Sequence, residues 1–255
     1  MNYKDALNYE GKVVLITGAG GSIGAGMVRG FAECGATVIA LDRDLERAET
    51  VIDELGELKK ESIAVSVDVT DAEAVRNAVD EIFEKYGHID VLMNHAGMNI
   101  RKPATEFSEN EWDMINSVNL KGIFLMAQAV GKKMIQQSFG SIVNTASVSA
   151  ARGHCNLAPY AVTKGGIVQL TKVLAHEWAP CGVRVNAIGP GYVRTNQTAN
   201  LLNDPVKYNE LLSKIPMGRF GDIEEMVGPA LFICSDLAGY ITGQTIYIEG
   251  GRMID

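Results

Sequence analysis

The feature that most constrains this chain is a regular alternation of short apolar runs with longer amphipathic stretches. The runs are Val13–Thr17, Thr37–Leu41, Ile63–Val67, Val91–Asn94, Ser141–Thr145, Arg184–Ile188 and Thr245–Ile248, and they are rich in Val and Ile. Strands covered on both faces have this composition. Between them, Ile23–Cys34, Asp44–Lys59, Ala72–Tyr86, Glu109–Gln137, Ala158–Ala179 and Ile223–Ser235 carry helical periodicity. Strand–helix repetition of this kind predicts an α/β domain with about seven parallel strands and helices on both faces, a doubly wound sheet. The 255 residues contain no repeat or linker and suit one undivided domain, 1–255. Only residues 190–219 break the rhythm: they are polar and loop-like, with a short helical piece around Val206–Lys214. They follow the sixth strand and so lie at the carboxyl edge of the sheet, where ligands of such folds bind; the expectation is a substrate-covering insertion.

The first strand runs into Thr17-Gly18-Ala19-Gly20-Gly21-Ser22-Ile23-Gly24 and then a helix. Glycines here let phosphate approach backbone N–H groups, and the helix N-terminus adds favourable partial charge. The expected pyrophosphate cradle is therefore Gly18, Gly20, Gly21, Ser22, Ile23 and Gly24, with Ser22 as N-cap, in a Rossmann-like fold. Asp42 ends the second strand, twenty-four positions after Gly18. A carboxylate there accepts the ribose hydroxyls and repels a 2′-phosphate. Arg43 follows and could accommodate that phosphate, but the glycine loop itself holds no Lys or Arg. The charge argument predicts NAD over NADP. Asp68 and Val69 follow the third strand and are expected at the adenine edge, while Asp44 and Asp71 are placed to cap helices.

Tyr160 and Lys164 stand four apart on a helical pattern and share one face. A tyrosine titrates near 10, and a neighbouring ammonium favours its phenolate. That pairing suits general acid–base catalysis. Ser147 follows the fifth strand, thirteen residues before Tyr160, where its hydroxyl can hydrogen-bond a substrate oxygen as charge develops. Taken singly, Ser147 or Asn119 could equally serve a strand end or a helix neighbour.

The glycine loop, Asp68-Val69, Asn94-His95-Ala96-Gly97, Asn119, Ser147, Tyr160-x-x-x-Lys164 and Pro190-Gly191 occur in the order and approximate spacing of the short-chain dehydrogenase/reductases, which the whole chain resembles. The resemblance implies a catalytic set of Asn119, Ser147, Tyr160 and Lys164. Tyr160 is the acid/base, Ser147 orients substrate, Lys164 also holds the nicotinamide ribose, and Asn119 supports a water that links Lys164 to solvent. Asn94, Ala96 and Gly97 line the cofactor, as do Pro190, Gly191, Val193 and Thr195 towards the nicotinamide. Two departures stand out. Ser22 replaces the middle glycine of the classical branch, so the loop also fits the extended branch, whose larger C-terminal domain this chain has no length for. His95 stands where the family often has Asn. The resemblance also implies a homotetramer or homodimer.

Asn94–Gly97 continuing into Ile100-Arg101-Lys102-Pro103, and the stretch from Ala158-Pro159-Tyr160 through Asn186–Tyr192 to Ile215–Arg219, resemble sugar-acid members of the family, the gluconate 5-dehydrogenases and 2-dehydro-3-deoxy-gluconate 5-dehydrogenases. The implied substrate is a sugar acid or related polyol, with Arg101, Arg152 and His154 as candidate carboxylate anchors. A 3-oxoacyl thioester reductase is the alternative within the family, and a non-catalytic dinucleotide-binding sensor or scaffold the alternative outside it. A formal charge of −8 argues against nucleic acid or an anionic membrane as partner. Cys34, Cys155, Cys181 and Cys234 form no metal-ligand spacing and fit a reducing compartment. With no apolar leader or membrane span in the sequence, the expectation is a cytoplasmic, soluble enzyme without a metal.

Overall fold

A computed structural model of the chain describes residues 7–195, 198 and 204–254. Seven parallel strands form one sheet in the order β3-β2-β1-β4-β5-β6-β7. They are β1 (Val13–Thr17), β2 (Thr37–Asp42), β3 (Ile63–Ser66), β4 (Val91–Asn94), β5 (Gly140–Thr145), β6 (Val183–Pro190) and β7 (Thr245–Ile248). The helices are α1 (Ser22–Glu33), α2 (Leu45–Asp53), α3 (Ala72–Tyr86), α4 (Glu109–Asn116), α5 (Ile123–Gln137), α6 (Ala158–Trp178), α7 (Pro205–Leu212) and α8 (Glu224–Cys234). The strand order reverses between β1 and β4, which opens a crevice at their carboxyl ends.

Each sheet face carries its own core. Met27 and Phe31 of α1 pack with Val227 and Leu231 of α8 over one face, and Val75, Val79 and Ile82 of α3 with Met126, Val130 and Met134 of α5 over the other. Phe31 is fully buried, edge-on to Tyr9 with ring centroids 5.0 Å apart. Truncating such a side chain to alanine costs about 3–5 kcal/mol.

Two helices predicted as continuous are interrupted. The stretch Asp44–Lys59 stops as α2 at Asp53 and resumes as a 3₁₀ turn over Gly56–Lys59, because Gly56 takes a φ of +54° that an α-helix cannot include. The stretch Glu109–Gln137 is divided into α4 and α5 by a π-helical segment, Ser117–Gly122. Such segments mark functional positions more often than chance, and this one contains Asn119. Of the expected substrate-covering insertion, 190–219, residues 196, 197 and 199–203 lie outside the described residues; the remainder includes α7.

Candidate active site

The glycine loop crosses the crevice where β1 leaves the sheet. Gly18 takes φ +69°, and a Cβ there would come within 2.9 Å of the Ala96 backbone. A Cβ on Gly24 would lie 2.1 Å from the Gly18 carbonyl oxygen, so α1 meets its own loop at a distance only glycine allows. Thr17 ties this loop to the end of β4: its hydroxyl accepts the N–H groups of His95 (2.9 Å) and Ala96 (3.0 Å). The helix N-cap is Gly21, not the expected Ser22, which is the first residue of α1. Gly21 has no side chain to cap with, and the first turn carries no acidic residue. The positive end of α1 is thus left for an anion, which is what a dinucleotide's pyrophosphate requires.

At the ribose corner Asp42 is half-buried. Its Oδ2 accepts the Gly20 N–H (2.9 Å) and its Oδ1 the Asp44 N–H (3.1 Å). Asp44 caps α2 and Asp71 caps α3, as the sequence predicted. The exposed Arg47 reaches back from α2 and donates to the Gly20 carbonyl at 2.7 Å. Asp68 is exposed and held below the usual carboxylate range by the Thr70 hydroxyl and N–H, with Arg43 adding to the effect. Val69 is buried and packs against Gly122, whose added Cβ would fall 2.7 Å from it.

Not every expected cofactor residue turns its side chain to the crevice. Asn94 is buried, donates to the Ile123 carbonyl (2.8 Å) and to Asn144 (3.2 Å), and so stitches β4 to α5 and β5. Val193 is buried in the core, and its backbone bridges to Gly221. The Thr195 N–H donates to the Thr198 hydroxyl at 2.9 Å. Ala96, Gly97, Pro190 and Gly191 lie, as backbone positions, just beyond or at the ends of β4 and β6.

Helix α6 and the end of β5 bring the catalytic candidates together. Lys164 is 3% exposed, donates to the Thr145 carbonyl at 2.6 Å, and holds its ammonium 5.5 Å from the centroid of the Tyr160 ring. Burial lowers the Lys164 pKa to about 7. Burial also pushes the Tyr160 hydroxyl above its ordinary value, against the pull of the Ser147 hydroxyl and of Arg101. Within the chain alone, burial outweighs the pull of these neighbours on the phenol. Ser147 is buried and also accepts the Ser149 N–H at 3.1 Å. Asn119 clamps the Met98 backbone, accepting its N–H (2.7 Å) and donating to its carbonyl (2.8 Å). Gly97 borders both groups: its added Cβ would be 3.4 Å from Asn119 Oδ1 and 3.8 Å from Lys164 Nζ.

His95, which stands where the family often has Asn, places its Nδ1 3.0 Å from the Thr145 hydroxyl, and burial together with Lys164 lowers its pKa to about 4. Three further residues of this region escaped the sequence reading: Thr145, Arg47 and Arg252 carried no motif. Arg252, just past β7, is 4% exposed and sits against His154, with Nη2 2.9 Å from Nε2. Arg101 and Arg152 are exposed and His154 half-buried.

A family model described as enoyl-(acyl carrier protein) reductase matches residues 18–252. The chain belongs to the short-chain dehydrogenase/reductase family. It is an oxidoreductase of that family, which works with a nicotinamide cofactor. Among its relatives, the 2-dehydro-3-deoxy-D-gluconate 5-dehydrogenase of Escherichia coli (strain K12) is 36% identical over 247 residues, 96% of this chain and 97% of that one. The 3-oxoacyl-[acyl-carrier-protein] reductase of Thermotoga maritima is 41% identical over 249 residues, 97% and 100% of the two chains. A crystal structure of a gluconate 5-dehydrogenase from Burkholderia cenocepacia J2315, in complex with NADP and tartrate, superposes with a TM-score of 0.95 at 35% identity, covering 100% of both chains.

Proposed function

We propose that this chain interconverts a secondary alcohol and a ketone on a sugar acid or related polyol. One observation carries the reading: the charge of Arg101 acts on the Tyr160 phenol, and Arg252, 2.9 Å from His154, acts on that ring together with Arg101, Arg152 and Lys214. A site with this much positive charge beside its acid/base suits an anionic, hydroxyl-bearing substrate. In the direction of oxidation Tyr160 takes the hydroxyl proton as the carbon gives up its hydride, and Ser147 steadies the oxygen. In reduction the same phenol returns the proton. Lys164, at the Thr145 carbonyl and 5.5 Å from the Tyr160 ring centroid, would hold the nicotinamide ribose and pass the proton onward. A nicotinamide bound there would supply the hydride acceptor or donor and, when oxidised, positive charge that favours the phenolate.

The test is a screen of hexonates, deoxy-keto-gluconates and polyols with NAD and NADP. Turnover on the acids supports the reading; turnover confined to acyl thioesters overturns it. The second outcome would favour a 3-oxoacyl thioester reductase, which the 41% identity to the Thermotoga enzyme keeps in view.

For the cofactor, Asp42 favours NAD. Arg43 follows it in the chain, Arg47 reaches the Gly20 carbonyl from α2, and the Burkholderia structure holds NADP. The chain is accordingly proposed to use both dinucleotides, Asp42 receiving the ribose hydroxyls of NAD and the two arginines offsetting the 2′-phosphate of NADP. Strand β7 is an open sheet edge, and Trp112 (41%), Met114 (43%) and Phe124 (39%) are exposed on α4 and α5. Such surfaces suit a homodimer or homotetramer, which light scattering would resolve. No helix among the described residues is long and apolar enough to cross a membrane, and a cytoplasmic site of action is part of this proposal.

A further inference from the structure

Among the described residues, Arg252 is a buried cation without an ion-pair partner. Its Nε and Nη1 are buried and have no hydrogen-bond partner among them. Glu249 exerts some pull on it, but Glu249 accepts the Met253 N–H at 2.9 Å and stays beyond ion-pair distance. The contacts that Arg252 does make are of another kind. Its guanidinium carbon lies 4.3 Å from the centroid of the Tyr192 ring, and Arg152 donates to its main-chain carbonyl at 2.5 Å. Its Nη2 faces His154 Nε2 at 2.9 Å.

That last contact fixes the histidine. A guanidinium has only donors, so His154 Nε2 must accept, and the proton sits on Nδ1, which faces the Ser149 hydroxyl at 2.9 Å. Burial first, then Arg252, Arg101 and Arg152, hold the His154 pKa down to about 4. The ring is therefore neutral at physiological pH and cancels none of the charge. Ser149 is two residues from Ser147, and Arg101 bears on Tyr160, His154 and Arg252 alike. The uncompensated charge thus belongs to the catalytic neighbourhood. A buried guanidinium with idle donors is unfavourable unless an anionic oxygen arrives to take them.

We propose that Arg252, oriented by His154, receives the carboxylate of the substrate and so selects open-chain hydroxy acids over uncharged polyols of the same length. This rests on the dehydrogenase reading above and names the residue that recognises the acid. A planar fork matches a carboxylate in a way that a single exposed charge does not.

The experiment is calorimetric titration of the full-length protein, saturated with NADPH so that no turnover occurs, with gluconate and with sorbitol, its six-carbon counterpart lacking the carboxylate. Wild type should bind gluconate at least tenfold more tightly. In Arg252→Met the gluconate-to-sorbitol affinity ratio should fall about tenfold to a hundredfold, the worth of a charge-assisted hydrogen bond, and Arg252→Lys should recover part of it. An unchanged ratio in Arg252→Met, with wild-type gluconate oxidation intact, overturns the carboxylate role and leaves the dehydrogenase reading standing. Equal weakening of both ligands also overturns it, since that marks a prop for Tyr192 and His154 alone. Wild type that binds neither ligand but reduces a 3-oxoacyl thioester overturns the dehydrogenase reading and this one together.

Discussion

Replacing Lys164 with methionine should abolish turnover while leaving the fold as stable or more so, and the stability difference should depend on pH in a defined direction. Lys164 is 3% exposed, and burial moves its pKa from 10.5 to about 7. One pKa unit corresponds to about 1.4 kcal/mol, so carrying the ammonium in the fold at neutral pH or below costs of order 4 kcal/mol. Methionine removes that cost but orphans the Thr145 carbonyl, now held at 2.6 Å, which returns about 1–3 kcal/mol. The variant should therefore lie about 1–3 kcal/mol above wild type at pH 7. The sign of the pH effect follows from the depressed value. Between pH 7 and 10.5 the unfolded chain keeps the proton and the folded chain releases it, so wild-type stability rises with pH and is lost again as pH falls through 7. The variant lacks this term, and its advantage should shrink by about 2 kcal/mol from pH 7 to pH 9. Urea unfolding of the dinucleotide-free protein at pH 7, 8 and 9, followed by circular dichroism, measures it. Parallel stability curves for the two proteins would refute the argument, because they would mean that Lys164 does not titrate differently in the fold.

Tyr160→Phe should keep dinucleotide binding and lose turnover by at least about 10²-fold; surviving turnover would remove Tyr160 from the acid/base role. Asp42→Ala should shift kcat/KM towards NADP and Arg47→Ala towards NAD, and a preference unmoved by both changes would show that the ribose 2′ position does not meet this corner. His95→Asn should flatten the acid limb of stability. The wild-type ring stays neutral down to about pH 4 in the fold but takes a proton from 6.5 when unfolded, so its contribution is present above 6.5 and is lost as pH falls through 4. About 3 kcal/mol should disappear across that window in wild type and not in the variant; identical acid limbs would show that His95 is not held neutral.

Much of this molecule is legible in its sequence because the relevant physics is local. Buried parallel strands need unbroken apolar runs, and the seven runs from Val13–Thr17 to Thr245–Ile248 became the seven strands of the sheet. Tyr160 and Lys164 sit on one helix face because four residues make about one turn. Ser147 lies at a strand end because the apolar run before it stops there. Other features were hidden for equally physical reasons. The π segment at Ser117–Gly122 differs from an α-helix by one residue per turn, which an amphipathic pattern does not register. Asn94 looks like a crevice residue from its place at the end of β4, but its direction was set by Asn144 and Ile123, fifty and twenty-nine residues away.

The sequence by itself determined the doubly wound sheet and the glycine loop at its switch point, and it singled out the candidates for proton exchange. The tertiary structure decided how those residues are tuned and what charge surrounds them. Burial, which no single position reveals, lowers Lys164 and raises Tyr160. Arg47 meets Gly20 across twenty-seven residues and Arg252 meets His154 across ninety-eight. Desolvation and charge pairing depend on distance through space, and only the packed chain sets that distance.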